Sequence, residues 1–205
     1  MFLAGFLLIL QDITLNMFGF IKNFLRKRLL KKLPARLDPV FPDIENLGAV
    51  AVVYKLEKGE DAVQLMTMVE SLALDGAQFK YVAVEVGKCF KESKLREEFV
   101  QWCNDNDVVY QGKEHIKWSG ATREIPQAEV FKTLHNLLVV LNDNNNFTAN
   151  YLALNIETKF SVGMKDSSRV RHNLVLDSSN REVTAKEYME TLFQYLRMMS
   201  IKDGE

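Results

Sequence analysis

The chain has 205 residues, of which 47% are hydrophobic and 26% charged, and its formal net charge is −1. This length accommodates one domain with a sizeable core plus an appendage, and the composition excludes both a disordered chain and a wholly membrane-embedded one. The two cysteines, Cys89 and Cys103, form neither a CxxC pair nor the disulfide framework of a small secreted protein.

The first segment is apolar and only marginally suited to crossing a bilayer. Residues 2–10 form a run shorter than the roughly 20 residues that a span requires. Extension to Ile21 includes Asp12, and a central Asp costs about 2.5–3.5 kcal/mol on insertion. A single N-terminal span would place the body in the cytoplasm, because the cations that follow favour that side. Met1 and Met17 both stand as possible start codons.

The next segment, residues 17–37, carries seven Lys or Arg side chains and no acidic one. The rest of the chain is therefore net acidic, and we expect no nucleic-acid partner. Apolar residues recur at helical spacing, as in a helix that lies in the headgroup plane of an anionic membrane. The alternative is a helix packed on its own domain with a solvated basic face. The predicted membrane-surface residues are Phe18, Ile21, Lys22, Leu25, Arg26, Lys27, Arg28, Lys31 and Lys32.

Beyond a proline-containing linker at residues 38–46, strand-like apolar runs alternate with helical periodicity. The pattern predicts strands at residues 48–56, 79–86, 108–110, 137–142, 159–162 and 171–176. It predicts helices at residues 61–74 and 92–104, from Pro126 to Leu137, near Phe147, and at residues 184–199. The alternation indicates the α/β class: a single three-layer domain at residues 47–202 with a mostly parallel, Rossmann-like sheet. An N-terminal arm, residues 1–37, adds the basic amphipathic helix.

No specific catalytic or cofactor motif is present in the sequence. Both the P-loop pattern G-x-x-x-x-G-K-[ST] and the dinucleotide fingerprint G-x-G-x-x-G are missing, which argues against P-loop NTPases and ordinary Rossmann dehydrogenases. The three histidines are scattered without the spacing of metal ligands. We therefore assign no catalytic residue, no metal and no cofactor from the sequence.

Candidate ligand-binding residues follow from the rule that open α/β sheets bind ligands beyond the carboxyl ends of their strands. The asparagine cluster after the fourth strand suits sugar hydroxyls or an anion. The favoured alternative is a loop whose Asn residues satisfy turn geometry and cap the next helix. The candidates are Asp143, Asn144, Asn145, Asn146, Glu85 and Asp177.

Residues 137–163 show a strand, a polar loop, a helix and the string K-F-S-V-G. This segment resembles a recurrent element of a small uncharacterised α/β protein family from Bacteroidetes, in which a basic N-terminal helix precedes the domain. The resemblance covers the chain from Met17 onward. More distantly, the segment is similar to the acceptor half of heptosyltransferase-like GT-B glycosyltransferases. That likeness places their strand-end Asp at Asn142 or Asp143 and their later glycine at Gly163.

Two functions are compatible with these observations. The preferred one is a non-catalytic α/β domain of unknown function, peripheral to the cytoplasmic face of the inner membrane and acting through an unknown protein partner. The alternative is a sugar- or nucleotide-binding enzyme related to glycosyltransferases, although 205 residues leave no room for their second nucleotide-binding domain.

Overall fold

A computed structural model describes residues 18–33, 37–142, 146–166, 171–177 and 183–202 of the chain. Within these residues six strands form one parallel sheet in the order β3-β2-β1-β4-β5-β6. The strands are β1 (Gly48–Leu56), β2 (Ala77–Glu85), β3 (Val108–Gln111), β4 (Leu137–Leu141), β5 (Ser161–Gly163) and β6 (Leu174–Val175). The predicted α/β class with a parallel sheet is confirmed.

Five helices accompany the sheet within the described residues. The first, α1, covers residues 18–30. The others are α2 (Gly59–Ser71), α3 (Ser93–Asp105), α4 (Phe147–Ala153) and α5 (Ala185–Lys202). Two single turns of 3-10 helix lie at Lys113–His115 and Glu129–Phe131.

The core consists of two layers, one on each face of the sheet. Alternate side chains of β1 point to opposite faces, because successive residues of a strand do so. Val50 and Val52 pack in the layer that includes residues of α2, α3 and α5. Ala51 and Val53 pack in the layer that includes residues of α4. A central strand buried on both faces accounts for the near-continuous apolar run that predicted β1.

The prediction of a helix between Pro126 and Leu137 is wrong. Only the turn Glu129–Phe131 is helical, and β4 already begins at Leu137. The backbone amide of His135 donates to the carbonyl oxygen of Glu157 at 3.0 Å, and that of Asn136 donates to Ala49 at 2.9 Å. Because these amides bond to neighbouring segments of the sheet, the chain is extended here and cannot form a helical ladder.

Residues of the predicted linker lie against the domain. The ring of Phe41 contacts that of Phe160 at 5.4 Å between centroids, and Ile44 is buried in the core. The amide of Val40 donates to the carbonyl oxygen of Lys159 at 3.1 Å.

Candidate functional site

The strand order reverses between β1 and β4, and this switch point is where open α/β sheets bind ligands. A cavity of about 610 Å³ lies at the carboxyl ends of these strands, and we refer to it as the switch-point cavity. It is lined by Tyr54, Lys55, Glu57, Lys58, Glu60, Asp61, Gln64, Leu141, Met164, Val183, Thr184, Ala185 and Tyr188.

The helix N-termini at the switch-point cavity are occupied by side chains of the chain itself. Asp61 Oδ2 accepts from the backbone amides of Glu57 at 2.7 Å and Lys58 at 2.8 Å. At the start of α5, Glu187 Oε2 accepts from the amide of Thr184 at 2.9 Å. These carboxylates place negative charge beside each helix N-terminus, which would repel a phosphate. The arrangement therefore favours a neutral polar ligand over a nucleotide phosphate.

Asp177, one of the predicted ligand-binding residues, lies near this cavity. The hydroxyl of Tyr188, which lines the cavity, donates to the carbonyl oxygen of Leu176 at 3.1 Å. Burial raises the pKa of Tyr188, and the negative charge of Asp177 adds to the shift. The ends of β1, β4 and β6 thus lie close to this one cavity.

The asparagines after β4 form a hydrogen-bonded network. Buried Asn142 donates from Nδ2 to Asn150 Oδ1 at 2.9 Å, and its Oδ1 accepts from the amide of Asn146 at 3.0 Å. Asn146 Oδ1 caps α4 by accepting from the amides of Thr148 at 2.8 Å and Ala149 at 3.3 Å. The capping alternative thus describes the geometry of Asn146. The remaining candidates of this loop, Asp143, Asn144 and Asn145, lie outside the described residues.

Glu85 lies in a separate polar cluster at the ends of β2 and β3. Its carboxylate accepts a hydrogen bond from the hydroxyl of Tyr110, pairs through Oε2 with Arg96 Nε at 3.1 Å, and pairs through Oε1 with Lys113 Nζ at 3.3 Å. Burial raises the pKa of Tyr110, and the hydrogen bond to Glu85 raises it further. Three donors therefore hold this buried carboxylate. The sequence analysis named Glu85 but neither Tyr110 nor Arg96. The strand-end rule could have indicated Tyr110, whereas no sequence signal indicates Arg96.

A second and mainly apolar cavity, the α2–α3 groove, was missed by sequence reasoning. It has a volume of about 750 Å³ and opens between α2 and α3. At its wall, Cys89 Sγ donates to the carbonyl oxygen of Lys58 at 2.9 Å, and burial raises the pKa of this thiol to about 12. The thiol is therefore protonated at neutral pH and is no activated nucleophile. The groove is lined by Glu57, Lys58, Gly59, Glu60, Ala62, Val63, Met66, Lys88, Cys89, Phe90, Lys91, Leu95, Glu98 and Phe99.

The helix α1 lies against the loop after β3 and against the start of α4. Arg26 Nε donates to the carbonyl oxygen of Ser119 at 2.8 Å, and its guanidinium carbon lies 4.5 Å from the centroid of the Phe147 ring. The ring of Phe18 meets Trp118 edge to face at 6.3 Å. Arg26, one of the predicted membrane-surface residues, thus contacts the domain.

The apolar positions of α1 divide between two sides of the helix. Leu25, Leu29 and Leu33 are half-buried, as are Lys22 and Arg26. By contrast, Phe20 is 72% exposed and Phe24 57% exposed. The exposed residues of α1 and the following turn also include Phe18, Ile21, Lys27, Arg28, Lys31 and Lys32.

Neither a metal centre nor a membrane span is found in the part of the chain that the structure describes. No group of three or more His, Cys, Asp or Glu side chains there could hold a metal ion. None of the helices searched is long and apolar enough to cross a bilayer.

The model of a family of unknown function, DUF6913, matches residues 20–199. The chain belongs to the DUF6913 family. This membership agrees with the predicted uncharacterised family, whereas the Bacteroidetes origin and the glycosyltransferase likeness stay predictions. Neither a curated protein nor a solved structure matches the chain. The DUF6913 match includes α1 from Phe20 onward, the switch-point cavity and the α2–α3 groove, so all three belong to the family region.

Proposed function

We propose that this DUF6913 protein is a non-catalytic α/β domain that lies on an anionic membrane surface, held there by α1, and acts through a protein partner. The observation that carries the proposal is the exposure of Phe20 and Phe24 beside the cations of the same helix. We propose the cytoplasmic face of the inner membrane as its location, since the anionic lipids of the cytoplasmic leaflet attract basic segments.

The spacing of the exposed residues along α1 supports contact between one face of the helix and the membrane. Phe20, Phe24, Lys27 and Lys31 follow one another at intervals of four, three and four residues, so they share one face of the helix. That face points away from the side on which Arg26 contacts Ser119. Aromatic side chains can insert at the headgroup boundary while each nearby cation adds about 1 kcal/mol on an anionic surface. The proposed contact therefore uses the outward face of α1.

The non-catalytic part of the proposal rests on the contacts of the reactive side chains. Burial raises the pKa of both Cys89 and Cys103 to about 12, which keeps their thiols protonated. His135 is buried and bonds to the carbonyl oxygen of Val130. These groups are engaged in packing or hydrogen bonding, which supports the non-catalytic part of the proposal.

Flotation of the full chain with vesicles tests the proposal. We expect binding to vesicles that contain phosphatidylglycerol and little binding to pure phosphatidylcholine. The variant Phe20→Ser/Phe24→Ser should lower partitioning at least about tenfold, since two large apolar side chains no longer insert. The reversal Lys27→Glu/Lys31→Glu should abolish the preference for anionic lipid.

Two matched controls make the same kinds of substitution at exposed residues outside α1. Tyr195→Ser/Met198→Ser deletes two exposed apolar side chains of α5, and Lys132→Glu/Lys165→Glu reverses two exposed charges away from α1. Both controls should float like the unmodified protein. Equal flotation of the α1 variants and the unmodified protein would refute the membrane proposal.

A second candidate function, binding of a sugar, is favoured by the polar lining of the switch-point cavity. We propose it as the alternative because hydroxyls can pair with the side chains of Tyr54, Gln64 and Glu60, whereas a phosphate would meet the capping carboxylates. A thermal-shift comparison of free sugars, nucleotide sugars and nucleotides tests it. Free sugars should stabilise the protein, and Met164→Trp, which fills the cavity, should remove the shift. The absence of any shift would eliminate this candidate.

A further inference from the structure

The α2–α3 groove combines a hydrocarbon interior with a charged mouth. Ala62 and Phe99 are buried there, and Met66 and Phe90 are half-buried. Its volume of about 750 Å³ falls within the range of roughly 300–1,000 Å³ that is typical of small-molecule sites. The thiol of Cys89 already donates to the backbone. The interior thus suits a ligand portion that is apolar.

Two exposed aliphatic side chains border the opening on facing helices. Val63 of α2 is 63% exposed and Leu95 of α3 is 49% exposed. Both line the groove, so the apolar surface continues from the interior to the solvent. An aliphatic chain entering the groove would cover this surface, which supplies a hydrophobic driving force for binding.

The charged side chains at the mouth of the groove indicate the charge of the ligand's head group. Lys58, Lys88 and Lys91 are exposed and line the groove. Within the described ranges, none of their ammonium groups forms an ion pair. In contrast, Glu57 pairs with Lys55 at 2.8 Å and Glu98 pairs with Lys94 at 3.8 Å. Glu60, the remaining acidic side chain of the lining, forms no ion pair among the described residues, so three unpaired lysines stand against one unpaired glutamate and the net unpaired charge at the mouth is positive.

We propose that the α2–α3 groove binds a single-chain amphiphile with an anionic head, of the fatty-acid type. The aliphatic tail lies between α2 and α3 against Met66, Phe90 and Phe99, and the head lies at the mouth beside Lys88 and Lys91. This binding site goes beyond attachment through α1, because no residue of α1 lines the groove.

Calorimetric titration of the full chain with dodecanoate, below its micelle concentration, tests the inference. We expect saturable binding at a single site. Shortening the tail to decanoate should weaken binding about fourfold for each methylene lost. Dodecyl phosphate should bind as dodecanoate does, because it shares the tail and the anionic charge. Dodecylamine should bind at least about tenfold more weakly, since its head repels the lysines.

Two variants locate the site on the groove. Val63→Asp places a negative charge at the apolar border, and Lys88→Glu/Lys91→Glu reverses the sign of two charges at the mouth. Each variant should weaken dodecanoate binding at least about tenfold. All these positions are exposed, and circular dichroism and thermal melting verify that the variants fold. Lys132→Glu/Lys165→Glu serves as the charge-matched control and should bind dodecanoate normally.

Phe20→Ser/Phe24→Ser separates this inference from the membrane proposal. The variant should retain dodecanoate binding while losing flotation, because the groove lies apart from α1. The inference is overturned by the absence of saturable binding, by equal affinity for dodecylamine, or by unchanged binding in both groove variants. Loss of dodecanoate binding only in the α1 variant would overturn it too.

Discussion

Arg26 donates from Nε to the carbonyl oxygen of Ser119 at 2.8 Å, across 93 positions of the sequence. The same guanidinium lies over the ring of Phe147. One side chain of α1 therefore contacts both the loop after β3 and the start of α4. This contact positions α1 at the carboxyl edge of the sheet and leaves Phe20 and Phe24 exposed.

Replacement of Arg26 by Ala should release α1 from the domain. The lost hydrogen bond and cation–π contact should lower the free energy of local opening by about 1–3 kcal/mol. Hydrogen exchange followed by mass spectrometry should show faster exchange over residues 18–30. Arg28→Ala, which changes an exposed cation of the same helix, is the control and should exchange like the unmodified protein. Equal protection of α1 in both variants would contradict the docking role of Arg26.

The sequence predicts β1 more accurately than β6. A near-continuous apolar run, interrupted by Lys55, gives β1 its observed bounds, Gly48–Leu56, since a strand covered on both faces is mostly apolar. For β6 the pattern extends over residues 171–176, yet the strand itself is only Leu174–Val175. Neither residue of β6 is fully buried, so burial leaves a weaker signal in its sequence.

The candidate sites could be predicted only in part. The strand-end rule locates Glu85 and Asp177 because chain direction alone determines which ends share an edge. The α2–α3 groove depends on the gap between two helices, and nothing in the sequence reports that distance. The sequence also could not show which side of α1 faces the domain. Leu25 and Phe24 fit the same apolar pattern, and only tertiary contacts determine which of them faces the domain.

Asn146 should contribute to stability mainly as the cap of α4. Asn146→Ala removes the acceptor for the amides of Thr148 and Ala149 and should lower the free energy of unfolding by about 0.5–2 kcal/mol. Asn146→Asp keeps an acceptor and places a negative charge at a helix N-terminus, so its cost should be smaller. Urea denaturation measures both. Equal destabilisation by Ala and Asp would show that capping is not the reason.

Two buried tyrosines, Tyr81 and Tyr188, and half-buried Tyr110 should make the fold sensitive to alkali. Burial raises the pKa of Tyr81, Tyr110 and Tyr188 above the ordinary value of 10.0. The folded state therefore retains phenolic protons that the unfolded state has lost, and the free energy of unfolding should fall as the pH rises above about 10. Urea denaturation at increasing pH checks this. Tyr110→Phe removes one of these groups and should make the decline less steep.

His135 should remain neutral when exposed histidines are protonated. Burial lowers its pKa, although the hydrogen bond with the carbonyl oxygen of Val130 opposes the shift. That carbonyl accepts at 3.0 Å from Nε2, so Nε2 carries the proton and Nδ1 is the bare nitrogen. Nitrogen-detected NMR should show this tautomer, with protonation only below pH 6.5. The stability contributed by the neutral ring should be lost as the pH falls through that lowered pKa. A titration midpoint at or above the ordinary value would contradict this assignment.

Gly87 should be required where the loops that frame the α2–α3 groove approach each other. A Cβ atom at this position would lie 2.6 Å from the carbonyl oxygen of Glu57 and 3.2 Å from its Cα, both of which are backbone atoms. Gly87→Ala should therefore cost about 1–3 kcal/mol and move the segment that carries Lys58 away from Lys88. Gly19→Ala is the control, because a Cβ atom there meets nothing within 4 Å. Thermal melting and dodecanoate titration of the two variants should show weaker binding for Gly87→Ala alone, since only that substitution displaces the mouth of the groove. Normal melting and normal binding in Gly87→Ala would show that the loops can separate without consequence for the site.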